Sequence, residues 1–101
     1  MDGQLGLDRV ADGDQPDHAV AFDQDIGSWD TGNVTTMEGM FANAAAFNQS
    51  ISMWNTANVA DLSTMFQGAT AFNQYLGYWN INSVTDLHAM FYDAIAFDQN
   101  I

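Results

Sequence analysis

Basic residues are almost missing from this sequence: Arg9 stands alone against thirteen Asp and Glu, for a net charge of −12. Affinity for nucleic acid comes from Lys and Arg displacing counterions from phosphates, so a chain with one cation is not expected to bind it. The same shortage argues against an anionic membrane surface. Cysteine is absent, which excludes a disulfide framework and any thiolate metal site. The one proline is Pro16. No apolar run approaches the ~18 residues of a membrane span, so no membrane insertion is expected. The opening MDGQLGLDRV has neither a basic nor an apolar region of the kind a secretory signal needs. What remains is 101 residues, enough for one small domain, with 48% hydrophobic and 13% aromatic content, too rich for a wholly disordered chain.

The apolar residues are arranged with a fixed step of 25. Phe22, Phe47, Phe72 and Phe97 keep it. So do Ile26, Ile51, Leu76 and Ile101, and Trp29, Trp54 and Trp79. Val34, Val59 and Val84 follow, then Met37, Leu62 and Leu87, and the pairs Met40-Phe41, Met65-Phe66 and Met90-Phe91. Ala44, Ala69 and Ala94 complete the unit. Residues 18–101 therefore form one repeat domain, with units 22–46, 47–71 and 72–96 and a partial unit 97–101.

Each unit has two halves with different periods. Phe47, Gln49 and Ile51 alternate with polar residues, the period-two pattern of a short strand. Strands are expected near 23–26, 48–51, 73–76 and 98–101. Val59, Leu62, Met65-Phe66 and Ala69 recur every three or four residues, which predicts short helices near 34–42, 59–67 and 84–92. Asn33, Asn58 and Ser83 stand where N-caps belong, and Asp61 and Asp86 follow three residues later, facing the helix dipole. Asn43, Gly68 and Asp93 stand at the far ends, all of types that tolerate the left-handed conformation.

A unit this small cannot bury its own apolar face, whereas equivalent units stacked in register can. The fold class expected is an α/β solenoid of about three strand–short-helix units with a narrow parallel β-ladder. Phe47, Ile51, Trp54, Val59, Leu62, Phe66 and their mates at steps of 25 are the expected core. Gln24, Gln49, Gln74 and Gln99 are read as inward residues bonding amide to amide in a structural ladder. Residues 1–17 do not keep the repeat: Asp12 and Gln15-Pro16 stand where apolar residues are due. With Asp2, Asp8, Asp14 and Asp17 they read as an acidic, disordered leader.

The phrase FNQSISMWNTANVADLSTMFQGATAFNQ, residues 47–74, resembles the repeat of BspA-like bacterial surface proteins. The family pattern is roughly Phe-Asn-x-x-Ile-x-x-Trp-Asp-x-Ser-x-Val-x-x-Met-x-x-Met-Phe-x-x-Ala, and residues 22–101 meet it at nearly every position. The resemblance implies a leucine-rich-repeat-like solenoid, a segment of a longer protein at the cell surface or outside the cell, with no defined biochemical function. Many bacterial relatives hold Cys where this chain has Ala44, Ala69 and Ala94, so any thiol chemistry is absent here.

Nothing in the repeat points to catalysis. His18 and His88 lie 70 residues apart and do not converge with a Ser and an Asp by the repeat register. Asp23-x-Asp25-x-Gly27 has the opening spacing of a calcium loop, but Val34 stands where the bidentate Glu belongs. The residues that vary within the fixed frame are more informative. They are Asp25, Ser50, Tyr75 and Asn100 on the strand's outer side, with Met53 and Tyr78 in the neighbouring turn. Repeat arrays present partners with such a row, and exposed tyrosines favour binding hot spots.

The expected function is a non-catalytic module that contacts a protein or glycan, without a cofactor or catalytic residue. The alternatives are a calcium-dependent module or divergent enzyme built on the acidic N-terminal segment, with Asp12, Asp14 and Asp17, and a truncated fragment without a function of its own. Uncapped ends of the stack also offer a route to self-association.

Overall fold

The computed structural model describes residues 20–100; the leader expected over 1–17 lies outside them. The described residues measure 33 × 32 × 21 Å. Three layers, each one repeat long, stack with the 25-residue register that the apolar residues set. All seven phenylalanines join two interlocked columns. In one, Phe22, Phe47, Phe72 and Phe97 follow each other at 5.7, 5.7 and 6.0 Å between ring centroids. In the other, Phe41, Phe66 and Phe91 do so at 5.6 and 5.5 Å. The columns touch at 4.2 Å through Phe41–Phe47, Phe66–Phe72 and Phe91–Phe97. A third column holds Trp29, Trp54 and Trp79, nearly parallel at 6.4 and 6.5 Å. Parallel aromatic columns at this spacing exclude water along the whole axis, the main source of stability for so small a unit.

The layers are built of turns, and the expectation of an α/β solenoid with a parallel β-ladder is overturned. Among the described residues, only Val20 and Ala21 have helical backbone, and no strand longer than a single bridge forms. The two bridges, Thr36 with Asp61 and Asp61 with Asp86, are parallel. They lie in or beside the stretches expected to be helical, and the stretches expected as strands hold none.

The backbone hydrogen bonds give the reason. In the second half of each unit, N–H groups alternate in direction. Those of Met40, Ala42 and Ala44 close turns onto the carbonyls three residues back. Those of Met37, Gly39, Phe41 and Asn43 leave the layer and donate to Asp61, Ser63, Met65 and Gln67 of the next, at 2.7–3.0 Å. The next layer repeats this from Leu62, Thr64, Phe66 and Gly68 to Asp86, His88, Met90 and Tyr92. A helix would spend every N–H on itself and leave nothing to tie the layers. Two left-handed residues per layer divert the chain: Gly39, Thr64 and Ala89 at one position, Asn43, Gly68 and Asp93 at the other. Successive three-residue turns still place Met37, Met40-Phe41 and Ala44 inward, so they produce the apolar spacing read as a helix.

The expected core residues Phe47, Ile51, Trp54, Val59, Leu62 and Phe66 are all buried. Of their mates, Ile26, Met37, Phe41, Phe72, Leu76 and Trp79 are buried as well, and the other described mates are less so. Phe22, Trp29, Val34, Val84, Phe91 and Phe97 are half-buried, and Leu87, 52% exposed, lies open. These residues sit in the outer layers, which have a neighbour on one side only among the described residues.

Candidate functional site

Most polar side chains of the repeat hold the stack together. Asp30, Asn55 and Asn80 each accept the N–H two residues ahead through Oδ1, at 3.1, 3.1 and 2.9 Å. This is the Asx turn, in which a short side chain substitutes for a backbone carbonyl. Asp61 and Asp86, expected to face a helix dipole, do the same for Ser63 and His88. Asn58 and Ser83, expected as N-caps, donate instead to the preceding layer, to the carbonyls of Gly32 and Ala57. Thr31 and Thr56 are buried, and their hydroxyls donate to the carbonyls of Asn55 and Asn80.

The glutamine ladder runs along a different path from amide to amide. Gln49 donates to the backbone and side-chain oxygens of Asp23, Gln74 to those of Asn48, and Gln99 to those of Asn73, at 2.8–3.3 Å. The same Oδ1 atoms accept the N–H of Asn48, Asn73 and Asp98. Gln49 and Gln74 are half-buried and Gln24 is exposed, so these amides line the flank of the stack and not its core.

One carboxylate is perturbed. The Ser63 hydroxyl, 2.6 Å from Asp61 Oδ1, and then the Ser63 N–H at 2.8 Å favour its ionised form and hold the Asp61 carboxyl below the usual carboxylate range. The cause is the turn that Asp61 and Ser63 close. His88 is exposed, with its backbone N–H on Asp86; His18 lies outside the described residues. Among the described residues, no three His, Asp or Glu side chains gather as a metal site would require. Asp23 is bonded to Asn48 and Gln49, and Asp25 accepts the Gly27 N–H at 3.2 Å. Asp12, Asp14 and Asp17 lie outside the described residues. No helix among the described residues is long and apolar enough to cross a membrane.

The variable row is on the surface throughout: Asp25, Ser50, Tyr75 and Asn100 are exposed, as are Met53 and Tyr78. Ser50 Oγ lies 3.3 Å from Ser52 Oγ. The structure brings Tyr75 and Tyr78 into an edge-to-face pair with centroids 5.1 Å apart. The Tyr75 ring lies over Gly77, in the space a larger residue would need. Met53, 79% exposed, is the repeat mate of Tyr78, 71% exposed, so three large apolar side chains stand along one rim.

Sequence reasoning missed the feature beside that rim. An apolar pocket of about 460 Å³ opens at the C-terminal face of the stack, lined by Leu62, Leu76, Gly77, Trp79, Ile81, Leu87, Met90 and Phe91. Gly77 joins it to the tyrosine pair. The signal available in the sequence is Ile81, which stands where Thr31 and Thr56 stand in the layers below and turns that position apolar.

One family model, described as "Mycoplasma protein of unknown function, DUF285", matches residues 15–101. No curated protein matches, and no solved structure matches.

Proposed function

The chain belongs to the DUF285 family, a family of unknown function, and from that premise we propose that it is a non-catalytic repeat module of BspA-like kind that binds a protein or glycan. It serves as a segment of a longer surface-exposed protein. The observation that carries this reading is the division of labour among its surface residues. Asp23, Asp30, Asn48, Asn55, Asp61, Asn73, Asn80 and Asp86 are committed to turns and interlayer bonds. Met53, Tyr75 and Tyr78 carry no such duty and remain exposed along one rim. Tyrosine offers a broad apolar face with a polar tip and few rotatable bonds, suited to a sugar ring or to the backbone of a peptide. Asp25, Ser50 and Asn100 add hydrogen-bonding groups along the same row.

The test is a glycan array and a panel of extracellular glycoproteins, probed with the full chain and with a Y75A/Y78A variant. Both tyrosines are exposed, so the variant keeps the fold. Ligands of the wild type should lose at least about tenfold in affinity. Binding that is indifferent to the substitutions would refute the row as the contact surface.

A further inference from the structure

Every Lys, Arg, Asp or Glu on the described surface is an acid. Arg9 is the one cation against thirteen Asp and Glu, and it lies outside the described residues. The summed field of such a surface repels an anionic ligand, draws a cationic one and speeds the arrival of a positive partner. An acidic sugar is therefore disfavoured anywhere on these layers. Asp23, Asp30, Asp61 and Asp86 are engaged in turns and interlayer bonds, so they supply the field and leave contacts to other side chains.

The side chains free to make those contacts form a corner. The Tyr75 and Tyr78 rings meet at 84° with centroids 5.1 Å apart. Between them Leu76 is buried, and the Trp79 N–H closes the turn on the Leu76 carbonyl at 3.1 Å, so the base of the corner is anchored in the core. Gly77 leaves the space that the Tyr75 ring fills; a Cβ there would collide with the Tyr75 hydroxyl. Met53, the repeat mate of Tyr78, stands one layer below and is exposed. This flank faces outward in the interior of the stack as well. Ser50 and Met53 belong to the middle layer, with a described layer on either side, and both are exposed. A further layer would lengthen the flank and not cover it.

We infer that the rim of Met53, Tyr75 and Tyr78 is a docking site for a Lys- or Arg-bearing segment of a partner protein. The inference rests on the reading of the chain as a non-catalytic module that binds a protein or glycan, and it chooses the protein. The face of an aromatic ring is its negative side, so an ammonium or guanidinium group gains from the Tyr75 and Tyr78 faces what a neutral sugar does not. The carboxylates add attraction at longer range, with Asp25 on the same row. The aliphatic stem of Lys or Arg takes an apolar wall while its head stays near water, and the flexible thioether of Met53 offers that wall. The two tyrosines already hold each other in place, so docking costs little of their rotamer freedom.

Titration of the full chain with synthetic probes tests this, followed by the NMR resonances of the tyrosine rings and the Met53 methyl group. The probes are a peptide of alternating Lys and Gly, the same peptide with every amine acetylated, and a neutral glucose oligomer. The Lys peptide should shift the Tyr75 and Tyr78 rings and the Met53 methyl more than Tyr92, an exposed tyrosine outside the pair. Acetylation keeps the stem and removes the charge, and should weaken binding at least about tenfold. Y75A/Y78A should weaken it as much, while Y92A leaves it unchanged. Raising salt from about 0.02 M to about 0.5 M should weaken the wild type. Equal binding of the acetylated peptide overturns the inference. Lys-peptide affinity undiminished in Y75A/Y78A does so too, because it marks diffuse attraction to the net charge. Shifts of these rings by the glucose oligomer and not by the Lys peptide also overturn it, and leave the glycan arm of the binding reading standing. That wider reading falls on a different result, array ligands indifferent to the two tyrosines.

Discussion

Replacing Trp54 with Ala should remove the centre of the tryptophan column. The side chain is 4% exposed, with Trp29 and Trp79 on its two faces and its Nε1–H on the Ile26 carbonyl. Truncating a buried Trp costs about 3–5 kcal/mol, mostly in lost transfer energy and the cavity left behind. The Ile26 carbonyl keeps the backbone N–H of Trp29, so the lost indole bond adds only its net worth, about 1 kcal/mol. The sum, roughly 4–6 kcal/mol, is comparable to the whole stability of a small domain, about 5–15 kcal/mol. Trp79→Ala should cost less, because Trp79 has one stacking partner among the described residues and lies at the edge of the apolar pocket. Ser50→Ala, on the outer row, should change stability by under ~0.5 kcal/mol. Urea titrations followed by the fluorescence of the remaining tryptophans would rank the three. Stability of Trp54→Ala within about 1 kcal/mol of the wild type would mean that the column does not hold the layers together.

Three further predictions concern the turns. Ala89 sits at φ 54°, so Ala89→Gly should stabilise by roughly 0.5–1 kcal/mol in thermal melts, the relief of left-handed strain less the entropy glycine loses. Gly68→Ala should destabilise by roughly 1–2 kcal/mol, since φ is 73° and a Cβ there would meet Asn43 Oδ1 at 2.5 Å. Acid unfolding should report the Asp61–Ser63 turn. A carboxyl held below its unfolded value stabilises the fold above that unfolded value, and the contribution is lost as pH falls through the lowered one. Ser63→Ala should therefore flatten the decline of stability with acid relative to wild type. Parallel curves would exclude the turn as its source.

The 25-residue register was fully legible, because a repeat that buries one column of rings must keep its step. The core of the middle layer, Phe47 to Phe66, followed from it. The local conformation did not, since apolar residues three and four apart suit a helix and a chain of three-residue turns equally. Backbone pairing between layers decided the matter, and periodicity says nothing of it. Gly39, in the middle of the expected first helix, was the clue, together with Asn43, Gly68 and Asp93, which are left-handed as their residue types allow. The alternation of Phe47, Gln49 and Ile51 misled for a related reason: Gln49 turns to the Asp23 side chain in the layer below, a partner visible only once the layers are stacked. The variable row was legible as a row, but the end-face pocket was not, because it exists only where a layer has no neighbour. Leu87 illustrates this. It has the same pattern position as Met37 and Leu62, which are buried, yet lies open.

Order without regular secondary structure has a consequence for how this protein presents itself in solution. Far-ultraviolet circular dichroism counts helices and strands, and a backbone of turns would give it little to count. The spectrum should pass for that of an unfolded chain. The indole rings tell the opposite story: three parallel chromophores at 6.4 and 6.5 Å couple their transitions, and the resulting split signal vanishes when the layers separate. Amide exchange would agree with the indoles. The N–H groups of Leu62, Thr64, Phe66 and Gly68 are tied to a neighbouring layer and should exchange slowly, in a chain that the first spectrum would have classed as coil.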